Sequence, residues 1–218
     1  MSSKLYCHIG MQKAGSKAIQ HFSATNAEQL FAQGFRYPRN LCKGVWHRDV
    51  FTNYSALIDE RIGKHVRRPQ SVVLSFERAY DAPDELIERL AKHADELHVL
   101  LVVREPVSWV NSWMNQIAKA HRSPYVNFEG FYPDAPNIAK LLDVDGHLSR
   151  WEAKTTADRI QVVEYDPKGD VVEPYLAWLG VDPDRNRFEP VEGDPNKALD
   201  EASIRVFLEV KRRSEQLD

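Results

Sequence analysis

Four short apolar runs stand out along the chain: KLYCHI (4–9), SVVLSF (71–76), ELHVLLVV (96–103) and RIQVVEY (159–165). Each carries Val, Ile or Leu with little polar alternation, the pattern of strands buried on both faces. Helical spacing governs the segments at roughly 17–33, 84–94, 106–120, 138–156 and 171–179, and again at 199–214. Strands separated by helices predict a mainly parallel sheet between helical layers, a three-layer open α/β sandwich. Ligands of such sheets sit in a crevice at the carboxyl ends of the strands. Residues 34–70, with Trp46 and His47, and 121–137, rich in aromatics, Pro and Gly, follow neither period. Residues 34–70 read as a second wall of that crevice, and 121–137 as a surface loop packed by its own rings or as a lid or acceptor-binding loop. No repeat or low-complexity linker interrupts the 218 residues, a length that suits one domain over 1–218.

Composition narrows the class. The formal charge of −3 supplies no global positive field for nucleic acid. Cys7 and Cys42 alone form neither a disulfide framework nor a thiolate metal site, which suits a reducing compartment. The N-terminus lacks an apolar run of signal-peptide length, and no segment approaches the roughly 20 apolar residues that span a bilayer. These features read as a cytoplasmic protein without stable membrane insertion.

The stretch YCHIGMQKAGSKAIQHF (6–22) passes from strand pattern to helix pattern through a tight turn. Gly10 and Gly15 bracket Met11, Gln12, Lys13 and Ala14, and Ser16 and Lys17 open the helix. Glycines admit close backbone approaches that a β-carbon blocks. Amide N–H groups of the turn and of the helix start then converge on one anion, with Lys13 and the Ser16 hydroxyl beside them. The spacing approaches a Walker A loop without matching it. Ser16 stands where the loop lysine belongs, and Ala18 has no hydroxyl for magnesium. The plain alternative is a tight turn with two solvated lysines.

A second anion-binding pattern follows the third run. In LHVLLVVREPVSWVNSWMNQIAKAH (97–121), Arg104 ends a strand, Pro106 suits a first helical turn, and Ser112 lies eight residues after Arg104. Arg104 is able to fork onto a phosphate while the Ser112 hydroxyl approaches from the helix. Two strand-end anion sites suggest a ligand with separated charged groups.

These residues resemble the sulfotransferase family that uses 3′-phosphoadenosine 5′-phosphosulfate. KAGSKAIQ (13–20) is similar to its phosphosulfate loop, and REPVSWVNS (104–112) to its 3′-phosphate site. FAQGFRYP, VVLSFE, YLAWLGVDP and DPNKALDEASIRVF extend the resemblance over almost the whole chain. The resemblance implies a P-loop NTPase-like sulfotransferase fold. It implies that Gly10, Gln12, Lys13, Ala14, Gly15, Ser16 and Lys17 line the 5′ end of the cofactor, and that Arg104 and Ser112 bind its 3′-phosphate. Ala14 and Lys17 depart from the family, which often carries hydroxyl residues there.

The implied reaction is in-line transfer of a sulfuryl group to a hydroxyl, or less readily an amine, of a small molecule or glycan. The product is adenosine 3′,5′-bisphosphate. Lys13 would stabilise charge on the leaving phosphate, and no metal is required. Two residues qualify as general base: His47, whose unperturbed pKa suits proton abstraction, and Glu77, at the end of a strand. Two other functions remain open on sequence. One is a non-catalytic nucleotide-binding or interaction protein on the same scaffold, suggested by Ala14 and Lys17. The other is an ATP-dependent small-molecule kinase, which the missing hydroxyl at Ala18 disfavours.

Overall fold

The structure is a computed structural model that describes residues 2–119, 135–184 and 187–190, together with Val206 and Glu209. The chain divides into two compact units, residues 1–104 with 145–193, and residues 105–144 with 194–218. Residues 121–134 of the expected irregular segment 121–137, most of the late DPNKALDEASIRVF segment and nearly all of the last helix lie outside the described residues, while residues 135–137 open a helix.

The first unit contains a five-stranded sheet of β1 (Lys4–His8), β2 (Phe35–Arg36), β3 (Ser71–Ser75), β4 (Glu96–Val103) and β5 (Ile160–Glu164). The strand order is β2-β3-β1-β4-β5, and every pairing is parallel. The apolar runs account for four of these strands. Val72, Val73 and Leu74 of β3 and Val99, Leu100, Leu101 and Val102 of β4 are buried, as consecutive apolar residues in a two-sided sheet must be. β5 departs from that expectation. Gln161, Val162 and Glu164 are exposed, because an edge strand lacks a neighbour on one side.

Helices α1 (Ser16–Thr25) and α2 (Ala27–Ala32) follow β1. The single helix expected over 17–33 is thus divided at Asn26, whose backbone (φ −99°, ψ 28°) leaves the helical conformation. α3 (Arg48–Thr52) and α4 (Ala56–Val66) lie in the stretch expected to be irregular. Ser55 caps α4, its Oγ accepting from the Ile58 N–H. α5 (Asp84–Lys92) joins β3 to β4, and α9 (Val172–Leu179), numbered after the helices α6 to α8 given below, packs on α1. Ser23 Oγ lies 2.8 Å from the Tyr175 hydroxyl at that contact, satisfying two buried polar atoms at once.

Strand order positions the crevice. From β1 the chain crosses β3 to reach β2, whereas from β3 it crosses β1 in the other direction to reach β4. Right-handed crossovers in opposite directions run over opposite faces of the sheet. The helices after β1 and β3 therefore cover opposite faces, which makes the carboxyl ends of this strand pair the topological switch point.

The second unit contains α6 (Pro106–Lys119) and α7 (Ala135–Leu142). Pro106 occupies the first position of α6, as expected. The Glu105 carboxylate caps this helix, accepting from the Val107 N–H at 2.9 Å and the Ser108 N–H at 2.6 Å. Trp109 and Trp113 stack at 5.5 Å, and Met114 packs with Val110, Trp113 and Ile138. α8 (Val144–Glu152) begins at the boundary between the units, so the helical pattern of 138–156 is two helices rather than one. Among the described residues, no helix is long and apolar enough to cross a membrane.

Candidate anion site and adjoining cleft

The turn after β1 is held from both sides. Ile9 and Met11 N–H groups donate to Leu100 and Val102 carbonyls of β4, and the Arg78 N–H donates to the Gly10 carbonyl at 2.9 Å. A β-carbon at Gly10 would lie 2.3 Å from Ser16 Oγ and 2.5 Å from His8 Nε2, so this close approach requires glycine. Lys13 then adopts φ 63° and Gly15 φ 78°, both left-handed. For lysine that conformation costs about 1–3 kcal/mol and persists only where surrounding contacts impose it. Such strain is concentrated at the same edge of the sheet, where Arg78 after β3 has φ 73°.

Gly15 is the N-cap of α1, and among the described residues no side chain caps that helix. Its first N–H groups are therefore directed outward with the positive end of the helix dipole. Ser16 is buried, and its Oγ donates to the Met11 carbonyl over 3.4 Å. Ala14 and Gln12 are buried as well, whereas Lys17 is exposed.

Arg104, directly after β4, reaches the same turn. Its Nη1 donates to the Lys13 carbonyl at 2.9 Å, and its guanidinium lies 5.4 Å from the centre of the Tyr165 ring. Tyr165 also limits Gly15, where a β-carbon would come within 2.9 Å of its ring. The sequence reading missed Tyr165. It follows β5 directly, and its N–H donates to the Val103 carbonyl; the available signal was an aromatic at the carboxyl end of a parallel strand. Ser112 lies on α6 in the second unit, part-buried.

The two candidate bases occupy different surroundings. His47 is fully buried. The Ser75 N–H donates to its Nδ1 at 3.0 Å, which fixes the proton of the neutral ring on Nε2, 3.4 Å from Cys42 Sγ. Burial pushes its pKa down to about 3. Its own N–H donates to the Ser75 carbonyl, so His47 locks the preceding connection onto β3. Glu77, two residues beyond β3, lines a cleft of about 420 Å³ with Trp46, Phe51, Phe76, Arg78 and Asp81. Phe51 and Phe76 stack at 5.8 Å, giving the cleft an apolar wall beside its charged groups. Trp46 thus lines the cleft, as expected of its segment, while His47 beside it faces inward. Asp81 and Arg78 escaped the sequence reading because no spacing marks them.

Among the described residues, no group of three or more His, Cys, Asp or Glu side chains is placed to hold a metal ion.

No family model matches the sequence, and no curated protein matches it either. Solved structures do. A sulfotransferase from Alicyclobacillus acidocaldarius superposes with a TM-score of 0.59 at 14% identity, covering 100% of this chain and 96% of that one. This chain has the sulfotransferase fold. The sulfotransferase domain of the Synechococcus PCC 7002 olefin synthase has the same coverage, with a TM-score of 0.50 and 14% identity. At such identity the sulfotransferase fold is common ground and the chemistry must be argued from the residues.

Proposed function

We propose that this protein is a sulfotransferase that moves a sulfuryl group from 3′-phosphoadenosine 5′-phosphosulfate to a hydroxyl of a small molecule or glycan. One observation carries the reading: the Gly10–Ser16 turn, with Lys13 in it, is hydrogen-bonded to Arg104 and adjoins the cleft holding Glu77 through the Arg78–Gly10 hydrogen bond. Anion cradle, second cation and the cleft holding Glu77 thus meet along one sheet edge in the first unit.

When bound, the cofactor supplies the activated sulfate. The turn's N–H groups, Ser16 and Lys13 hold its 5′ end, and Lys13 stabilises the charge that grows on the departing phosphate. Arg104 takes the 3′-phosphate through its guanidinium fork. The Ser112 assignment rests on its spacing from Arg104 in the sequence. Glu77 accepts the proton of the acceptor hydroxyl, held in the cleft against Trp46 and Phe76. His47, neutral and engaged at both ring nitrogens, supports the cleft from behind.

Incubation with the labelled donor and a panel of phenols, sugars and amines tests the reading. Transfer to a hydroxyl supports it. Nucleotide binding with no transfer across the panel favours a non-catalytic binder, and magnesium-dependent phosphate transfer from ATP favours a kinase.

A further inference from the structure

His8 ends β1 beneath the anion turn and is fully buried. Its Nδ1 lies 2.8 Å from Ser75 Oγ. Its Nε2 is buried and has no hydrogen-bond partner among the described residues. That nitrogen and Ser16 Oγ lie 2.5 Å and 2.3 Å from the point a Gly10 β-carbon would occupy. An orphaned buried nitrogen under the uncapped start of a ten-residue helix is a second, independent sign that this turn addresses a ligand.

We propose that His8 is a positioning residue of the anion site, and that occupancy of the turn selects its Nε2–H tautomer. The inference rests on the anion-binding reading of the turn. With Ser16 Oγ–H turned toward the anion, the hydroxyl oxygen offers a lone pair inward. His8 Nε2–H donates to that lone pair, and Ser75 Oγ–H donates to His8 Nδ1. Every donor then points toward the negative charge, and each bond polarises the next.

The other tautomer runs the other way. His8 Nδ1–H donates to Ser75 Oγ, 2.8 Å away. That state leaves an imidazole lone pair facing the turn, which repels an anion and competes for the Ser16 proton. Both states are neutral, and exchange between them needs no net proton uptake. Burial, which lowers the pKa of His8 to about 3, keeps the ring uncharged in either. Two further contacts hold the frame still: the His47 N–H on the Ser75 carbonyl and the Ser75 N–H on His47 Nδ1.

Nitrogen-15 NMR of the histidine rings tests this on the wild-type chain, with adenosine 3′,5′-bisphosphate and with inorganic pyrophosphate as probes. The expected result is that His8 Nε2 becomes the protonated nitrogen and Nδ1 the unprotonated one when either probe saturates the site. Alongside it, His8→Phe should weaken nucleotide binding roughly three- to tenfold, the range for one hydrogen bond. His8→Gln, which restores an N–H, should recover part of the loss, and His8→Phe in a Ser16→Ala background should add little further loss. A wild-type chain that binds nucleotide with no change at the His8 nitrogens, or additive losses in the two variants, overturns the proposal and leaves the function reading intact. A folded wild-type chain that binds neither probe overturns both.

Discussion

The Arg104 guanidinium donates to the carbonyl of Lys13 at 2.9 Å, tying the residue after β4 to the strained centre of the turn after β1. Arg104 therefore has two roles in this account, ligand and brace. Arg104→Ala should weaken binding of adenosine 3′,5′-bisphosphate by roughly 10- to 150-fold, the range for losing a charged hydrogen bond. Arg104→Lys should restore little, since one ammonium cannot fork between a carbonyl and a phosphate. Isothermal titration of the three proteins checks this.

Lys13 carries charge in a conformation that favours glycine. Lys13→Gly should relieve strain and raise stability by about 1 kcal/mol relative to Lys13→Ala. Both variants should lose turnover by about 10²–10³-fold, with smaller changes in KM, because the leaving-group charge grows in the transition state. Urea unfolding and steady-state kinetics on the pair separate the two effects.

Gly10 is constrained by space rather than by torsion. Gly10→Ala would drive a methyl group against His8 Nε2 and Ser16 Oγ. It should destabilise the protein by about 1–3 kcal/mol, as overpacking does, and weaken nucleotide binding together with stability. Thermal melts with and without nucleotide provide the measurement.

Most of the sheet was legible because two-sided burial leaves consecutive Val, Ile and Leu in β1, β3 and β4. The glycine turn after β1 was legible for a different reason, since glycines that permit close approach must be spelled out in sequence. β2 was not, being two residues long. α4 was overlooked although Ile58, Ile62 and Val66 recur at four-residue spacing. Side-chain direction was the larger loss. Sequence placed Trp46 and His47 together, but only packing decides that Trp46 lines the cleft while His47 turns into the core. Tyr165 and His8 were read as strand residues, and their relation to Gly15 and Gly10 depends on register between strands far apart in the chain.

The pH dependence of stability should follow the buried histidines. His8 and His47 each titrate near 6.5 when unfolded and at about 3 when folded, so the unfolded chain binds more protons between those values. Stability is complete above pH 6.5 and falls as pH drops, by up to about 1.4 kcal/mol per pH unit for each histidine. Asp59, Asp95 and Glu96, with lowered pKa values, add losses of the same sign only below the carboxylate range. Urea unfolding between pH 5 and 7 should show this slope, to which His65 and His98, also lowered by burial, add, and His47→Asn should reduce it.

The base assignment is equally open to test. Glu77→Gln should lower kcat by about 10²–10⁴-fold, the scale of general-base catalysis, whereas His47→Asn should keep kcat while losing stability.

A crystal structure of the complex with adenosine 3′,5′-bisphosphate tests the central claim most directly. The 5′-phosphate should lie against the N–H groups at the start of α1 beside Lys13, and the 3′-phosphate on Arg104. A nucleotide bound elsewhere on the chain, or a turn left untouched at saturating nucleotide, would contradict it.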